Sequence, residues 1–132
     1  MGQIRKAKEG PEHKIQRALV EYLECRGWLV ERMANGAFQT GVPDLYCHHP
    51  KWGCRWIDVK NPGKYSFTKA QKIKWPLWES YKLGIWILTA ASQAEYDKLF
   101  AAPNWRNYWK SSWNPPTRSE IDTLLSQVKL DS

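Results

Sequence analysis

The apolar positions in the first half of the chain predict one helix followed by three strands. The helix begins at Pro11 and ends before Gly27. Its apolar face repeats at intervals of three and four residues, at Ile15, Leu19, Tyr22 and Leu23. Shorter apolar runs bounded by glycine, proline and asparagine then predict strands over 28–33, 45–47 and 54–60.

The second half predicts a helix over 68–83, a strand over 85–90 and further helices over 92–101 and 117–128. Thr68 and Gln71 have the spacing of a capping box, and Pro76 is expected to kink or divide the helix. The strand is apolar throughout, which is typical of a central, parallel strand buried on both faces. Together these elements predict a single-domain α/β fold with an α-β-β-β-α-β core, in which helices flank a mixed central sheet.

The length of 132 residues suits a single domain. We expect a basic, flexible arm at 1–10, the α/β core at 11–101, and a tryptophan-rich segment with a terminal helix at 102–132. The last segment can pack on the sheet, form a homodimer interface or stack unpaired bases, and the first two are favoured. Because no apolar run is long enough for a membrane span and 1–10 lacks the apolar stretch of a secretory signal, we expect a cytoplasmic protein.

Lysine and arginine number 20 against 13 aspartates and glutamates, so the net charge is +7. This excess favours a polyanionic partner, although charge alone does not choose between nucleic acid and acidic lipid. The nine tryptophans supply apolar surface for a core and argue against disorder. The three cysteines argue against a disulfide framework and favour a reducing compartment.

Four soft metal ligands lie close together at Cys47, His48, His49 and Cys54. Zinc commonly uses such ligands, but in the spacings C-x2-C or H-x3-5-H, which do not occur here. The favoured interpretation is two cysteines on neighbouring strands with a polar turn between them.

The most specific chemistry in the sequence lies at Asp44, Asp58 and Lys60. Side chains alternate along a strand, so Asp58 and Lys60 share one face while Ile57 and Val59 point to the other. A short hairpin can bring Asp44 beside Asp58. Two carboxylates with a backbone carbonyl, such as that of Val59, suit Mg²⁺ or Mn²⁺, and a nearby lysine can orient or deprotonate a nucleophile. The alternative is a turn-forming aspartate and an exposed Asp–Lys pair on an edge strand.

The order of these residues resembles a known nuclease family. The resemblance is carried by Gly41-Val42-Pro43-Asp44, by Ile57-Asp58-Val59-Lys60, and by Ser66 with Gln71. These pieces are similar to the G-x-P-D, E-V-K and S-x-x-Q motifs of the PD-(D/E)XK nuclease superfamily, specifically of its VRR-NUC branch. The similarity spans about residues 12–90. Asp58 stands where the branch usually has glutamate, and the spacing from Ser66 to Gln71 is slightly longer.

The resemblance implies a restriction-endonuclease-like fold and an endonuclease that uses Mg²⁺ or Mn²⁺ to cut DNA, with branched DNA such as Holliday junctions as the expected substrate. The catalytic residues it implies are Asp44, Asp58, Lys60, Glu12 and Gln71. The implied metal ligands are Asp44, Asp58, Glu12 and the carbonyl of Val59. Symmetric cutting of a junction requires two active sites and therefore a homodimer. Such a compact domain suits a bacterial or phage genome.

Glu12 and Gln71 also have purely structural interpretations. Glu12 falls within the apolar stripe of the first helix and so faces the sheet, but beside Pro11 it equally complements the helix dipole. Gln71 fits the capping box without any catalytic role. Gln16, at the edge of the stripe, is a weaker candidate to support the site.

Basic side chains around the site predict contacts with DNA phosphates, at Lys64, Lys69, Lys72 and Arg32. A charged helix face is also commonly just solvated. Two further functions stay open at this point. One is a non-catalytic nucleic-acid-binding module. The other is an interaction subunit of a phage or bacterial DNA-processing assembly that uses the tryptophan-rich segment.

Overall fold

The computed structural model describes residues 10–33, 40–113 and 117–130. Within these ranges the elements follow in the order α1 (Pro11–Glu24), β1 (Leu29–Arg32), β2 (Leu45–His49), β3 (Gly53–Val59), α2 (Lys69–Ser80), β4 (Ile85–Leu88), α3 (Gln93–Asp97) and α4 (Arg118–Leu130). Short 3-10 turns lie at Lys98–Phe100 and Trp105–Tyr108. The predicted class and element order are confirmed, whereas the predicted arm at 1–10 lies outside the described residues apart from Gly10.

The four strands form one mixed sheet in the order β1-β2-β3-β4. The first two pairings are antiparallel, and β3 pairs with β4 in parallel. The parallel pairing and the burial of β4 were predicted. The expectation that β4 is central is wrong, because β4 lies at the edge of the sheet, where a side chain covers its backbone.

That side chain is Asn104. Its Nδ2 donates to the Ile87 carbonyl at 3.0 Å, and its Oδ1 accepts from the Ile87 N–H at 2.6 Å. One amide thereby pairs both backbone groups of Ile87, as a neighbouring strand would. This pairing, together with the burial of Ile85, Ile87 and Leu88, explains why an edge strand has the apolar sequence of a central one.

The sheet separates two hydrophobic cores. Side chains of α1 and α3 cover one face, in a core that includes Leu19, Leu23, Ile57, Val59, Leu88 and Tyr96. The other face is covered by α2 and the tryptophan-rich segment, in a core made by Phe67, Trp75, Ile85, Ile87 and Trp105. Trp105 is 1% exposed, so this part of the tryptophan-rich segment packs on the sheet, while a homodimer interface in the segment stays a prediction. No helix in the described ranges has the length and apolar character of a membrane span.

Helix α2 departs from its prediction at two points. It runs unbroken through Pro76, so of the two outcomes expected for this proline, division of the helix is wrong and a kink stays a prediction. The capping box at Thr68 and the complete burial of Trp75 hold the helix on the amino-terminal side of the proline. The helix also ends earlier than Gly84, with Lys82 in the left-handed conformation at φ +67°.

Candidate active site

Asp44 and Asp58 hold each other in place across strands β2 and β3. The register that pairs Leu45 with Ile57 places them opposite each other one residue further along. The Asp44 N–H donates to Asp58 Oδ1 at 3.2 Å, and Asp44 Oδ2 accepts from the Val59 N–H at 2.8 Å. The predicted juxtaposition of the two carboxylates is therefore what the structure shows.

Lys60 lies on the same face as Asp58, as the strand period predicted. Its Nζ is 3.0 Å from Asp58 Oδ2 and donates to Gln71 Oε1 at 3.0 Å. The contact with Asp58 is an ion pair without the angles of a hydrogen bond, so Oδ2 has no hydrogen-bond partner among the described residues. Asp58 is 1% exposed and Lys60 5%, which rules out the interpretation as an exposed pair on an edge strand.

The acidic pair is destabilised electrostatically. Burial, and then the charge of Asp44, raise the pKa of Asp58, while Lys60 opposes the shift. Burial also raises the pKa of Asp44, against the hydrogen bond from Val59 and the charge of Lys60. For both carboxylates, the cost of losing hydration therefore exceeds the stabilisation from hydrogen bonds and from Lys60. A further cation beside them would be favourable.

Gln71 makes the capping-box contacts and also contacts Lys60, while its catalytic role stays a prediction. Its side-chain Oε1 accepts from the backbone N–H of Thr68 at 3.0 Å, and its backbone N–H donates to Thr68 Oγ1 at 3.1 Å. These two hydrogen bonds form the capping box. The same Oε1 accepts from Lys60. Helix capping thus fixes the amide that orients the lysine.

The turn before Asp44 is held against α2. Gly41 adopts φ +84°, and a Cβ on it would lie 2.9 Å from the backbone carbonyl carbon of Ala70. The Trp75 indole N–H donates to the Gly41 carbonyl at 2.8 Å. Trp75 also lies under Lys60, whose Nζ is 5.6 Å from its ring centroid, and Phe67 contacts the same ammonium at 5.2 Å.

Trp75 and Phe67 were not predicted as site residues. Trp75 lies four residues after Gln71, which places the two on neighbouring positions of one helix face. That spacing was the available signal, but a tryptophan in a helix is more often simply core.

The acidic pair opens into a cleft of about 960 Å³. Its lining includes Glu12, Lys64, Tyr65, Ser66 and Gln71 besides the pair and Lys60. Glu12 is exposed at the start of α1, and its Oε1 accepts from the Asn61 N–H at 3.4 Å. Its assignment as a metal ligand stays a prediction. Gln16 is half-buried in α1 and is not one of the residues that line the cleft.

The predicted DNA-contacting residues are dispersed. Lys64 lines the cleft, whereas Lys69 pairs with Glu120 of α4 at 3.0 Å and Lys72 lies 4.6 Å from the ring centroid of Trp113. Arg32 is exposed in β1. Their contacts with DNA stay predictions, and of the four only Lys64 is among the residues that line the cleft.

The zinc alternative is not supported by the positions of its ligands. Cys47 is buried in the core on β2, whereas Cys54 is exposed on β3 and lies opposite His48. In the part of the chain that the structure describes, no three histidine, cysteine, aspartate or glutamate side chains are grouped to hold a metal ion. The acidic pair offers two side-chain ligands, so a metal there needs backbone or water ligands as well.

Comparison with solved structures gives a match to a structure described as "VRR_NUC domain". The two chains superpose with a TM-score of 0.54 at 21% sequence identity, over 68% of this chain and 94% of the other. The chain has the fold of a VRR_NUC domain. Scans against models of protein families and against curated proteins give no match. The VRR_NUC fold confirms the fold that the motif resemblance implied, and it leaves activity to be argued from the site.

Proposed function

We propose that this protein is a metal-dependent nuclease that hydrolyses phosphodiester bonds in DNA. The observation that carries the proposal is the buried pair of carboxylates, Asp44 and Asp58, beside the ammonium of Lys60 in one open cleft. The VRR_NUC fold supports it. The lining of the cleft supports it too, because the cleft forms from the segments that carry the nuclease-like motifs.

The residues present fit a hard divalent cation such as Mg²⁺ or Mn²⁺. Asp58 Oδ2 is buried without a hydrogen-bond partner among the described residues, and Asp44 supplies a second carboxylate beside it. Oxygen ligands of this kind suit these ions, which retain several waters when bound. Asp44 and Asp58 would hold the ion, with the Val59 carbonyl and Glu12 as further proposed ligands. A bound ion supplies charge neutralisation at the phosphate and lowers the pKa of water.

The protein's own groups have separate tasks. Lys60 is held by Gln71 with its ammonium at the acidic pair, where it can stabilise negative charge that develops on the phosphate oxygens or orient the attacking water. Gln71 and Trp75 fix the direction of that ammonium. Gly41 and Pro43 lie in the turn that places Asp44 immediately before the first residue of β2.

The substrate class and assembly follow from the same proposal. We propose branched DNA, such as a Holliday junction, as the substrate, and a homodimer that supplies two active sites for symmetric cutting. A bacterial or phage-infected cytoplasm is the proposed location, and the free thiols of Cys25, Cys47 and Cys54 are compatible with its reducing conditions.

A cleavage panel tests the proposal. Labelled junction, flap, duplex and single-stranded DNA are incubated with Mg²⁺, Mn²⁺ or chelator. We expect the protein to cleave DNA in the presence of metal and not in chelator. The cleavage rate should fall by about 100-fold or more in Asp58→Asn and in Lys60→Met, because each substitution removes a group that acts on transition-state charge. Asp97→Asn, at an exposed acid of α3, is the control and should leave cleavage unchanged.

Metal binding is measured separately by titration calorimetry with Mn²⁺. Wild-type protein should bind the ion and Asp58→Asn should not. Salt-sensitive DNA binding without any metal-dependent cleavage would reject the nuclease and leave a non-catalytic binding module. Retained cleavage in both site variants would reject the assigned residues.

A further inference from the structure

Beside the acidic pair lies a surface of alternating basic and aromatic side chains, which we call the Lys–Tyr ridge and define as Lys64, Tyr65 and Lys110. Lys64 and Tyr65 line the cleft. Lys110 Nζ donates to the Tyr65 carbonyl at 3.1 Å and lies 4.6 Å from the centroid of its ring. The tryptophan-rich segment thereby reaches the rim of the site, from more than forty positions further along the chain.

Carboxylates in the described part of the chain do not neutralise the cations of the ridge. Among the described residues, Lys64 and Lys110 form no ion pair with a carboxylate, whereas Lys69 is paired with Glu120. Lys64 and Lys110 are both exposed. The ridge therefore presents two exposed positive charges close to one half-buried aromatic ring, with Lys64 next to Tyr65 in the chain and Lys110 against its ring.

Two other aromatic side chains hold the ring of Tyr65 in place. Tyr65 contacts Tyr108 edge-on, with centroids 5.7 Å apart, and Phe67 at 6.5 Å. These contacts reduce the side-chain entropy that a binding partner would otherwise have to remove. A fixed aromatic ring with exposed lysines close to it is a combination by which proteins hold single-stranded nucleic acid.

We propose that the Lys–Tyr ridge binds an unpaired DNA strand next to the acidic pair, with a base stacked on Tyr65 and phosphates contacted by Lys64 and Lys110. The inference rests on the proposed function for the choice of DNA. In a continuous duplex both faces of each base are covered by its neighbours, so Tyr65 can stack only on a base at a branch, flap or end. The ridge thus selects DNA in which pairing stops close to the scissile bond.

Binding is tested without turnover, in chelator, on two DNAs of equal length. One is fully paired, and the other carries a single-stranded arm with 2-aminopurine at the branch. We expect the arm to increase affinity and its fluorescence to be quenched on binding. Tyr65→Leu should weaken binding of the arm by about 5- to 150-fold, which corresponds to the usual range for one stacked base. Tyr65→Phe keeps the ring and should bind normally.

The lysine contribution has a control within the chain. Lys51 lies 4.7 Å from the ring centroid of Trp52, in the turn between β2 and β3 at the far end of the strands from Asp44. Lys110→Ala should lower the slope of log affinity against log salt by about 0.7, the value for one single-strand phosphate. Lys51→Ala should leave the slope unchanged.

Equal affinity for the two DNAs, or normal arm binding by Tyr65→Leu, would overturn the ridge. Competition by an acidic peptide as effective as single-stranded DNA would also overturn it and assign the surface to a protein partner. If the nuclease proposal alone fails, the protein will still prefer the DNA with the arm but will not cleave DNA. If the ridge proposal alone fails, the protein will cleave DNA but will bind the two DNAs with equal affinity. Circular dichroism confirms that each variant is folded.

Discussion

Replacement of Gly41 by alanine is expected to disturb the turn that delivers Asp44 to the site. The added Cβ would lie 2.9 Å from the Ala70 carbonyl carbon and 3.0 Å from its Cβ and carbonyl oxygen. Two of these three are backbone atoms in the first turn of α2, so no change of rotamer relieves the contact. Either the turn or the helix must shift, and either shift lengthens the hydrogen bond from Trp75 to Gly41.

The chain contains a control for the backbone cost. Gly53 also has φ +84°, but a Cβ there meets nothing within 4 Å. Gly53→Ala therefore measures the left-handed conformation alone, about 1–2 kcal/mol. Gly41→Ala adds overpacking of about 1–3 kcal/mol and about 1 kcal/mol for the weakened hydrogen bond. It should lose about 2–4 kcal/mol more stability than Gly53→Ala.

Urea unfolding of the two variants measures this difference, and their unfolded chains are affected alike by the added methyl group. Cleavage is measured on the folded fraction. Gly41→Ala should be impaired and Gly53→Ala unimpaired, because Gly53 lies at the far end of β3. Equal losses of stability would refute the close approach of Gly41 to α2, and full cleavage by Gly41→Ala would refute its role in placing Asp44.

Three further predictions concern the buried acid, the sheet edge and the end of α2. Because burial raises the pKa of Asp58, this residue favours folding most at low pH, where its carboxyl is protonated. That contribution to stability is lost as the pH rises from the pKa of an ordinary carboxyl through the raised pKa of Asp58. In metal-free thermal unfolding, the stability of Asp58→Asn relative to wild type should thus increase as the pH rises. A stability difference that stays constant with pH would contradict the raised pKa. Asn104→Ala leaves both backbone groups of Ile87 unpaired and should cost about 1–3 kcal/mol in urea unfolding, whereas exposed Asn107→Ala should be neutral. Lys82→Gly relieves a positive φ and should raise stability by about 0.5–1 kcal/mol, and no gain would show that the lysine is unstrained there.

Much of the site was predictable because it depends on local periodicity. Two-residue alternation in β3 placed Asp58 and Lys60 on one face and Ile57 on the other, and burial of Ile57 in the α1 core then turns the acid toward α2. The capping spacing of Thr68 and Gln71 likewise predicted a geometry that needs only one turn of helix.

Contacts between distant segments were beyond prediction, since no local pattern encodes which neighbour an element meets. The apolar run of β4 records burial and not position, so it predicted a central strand where Asn104 covers an edge. Lys69 and Lys110 look alike as exposed lysines in the sequence. Tertiary packing neutralises Lys69 with Glu120 and leaves Lys110 at the rim of the cleft, because charge is cancelled by proximity in space and not along the chain.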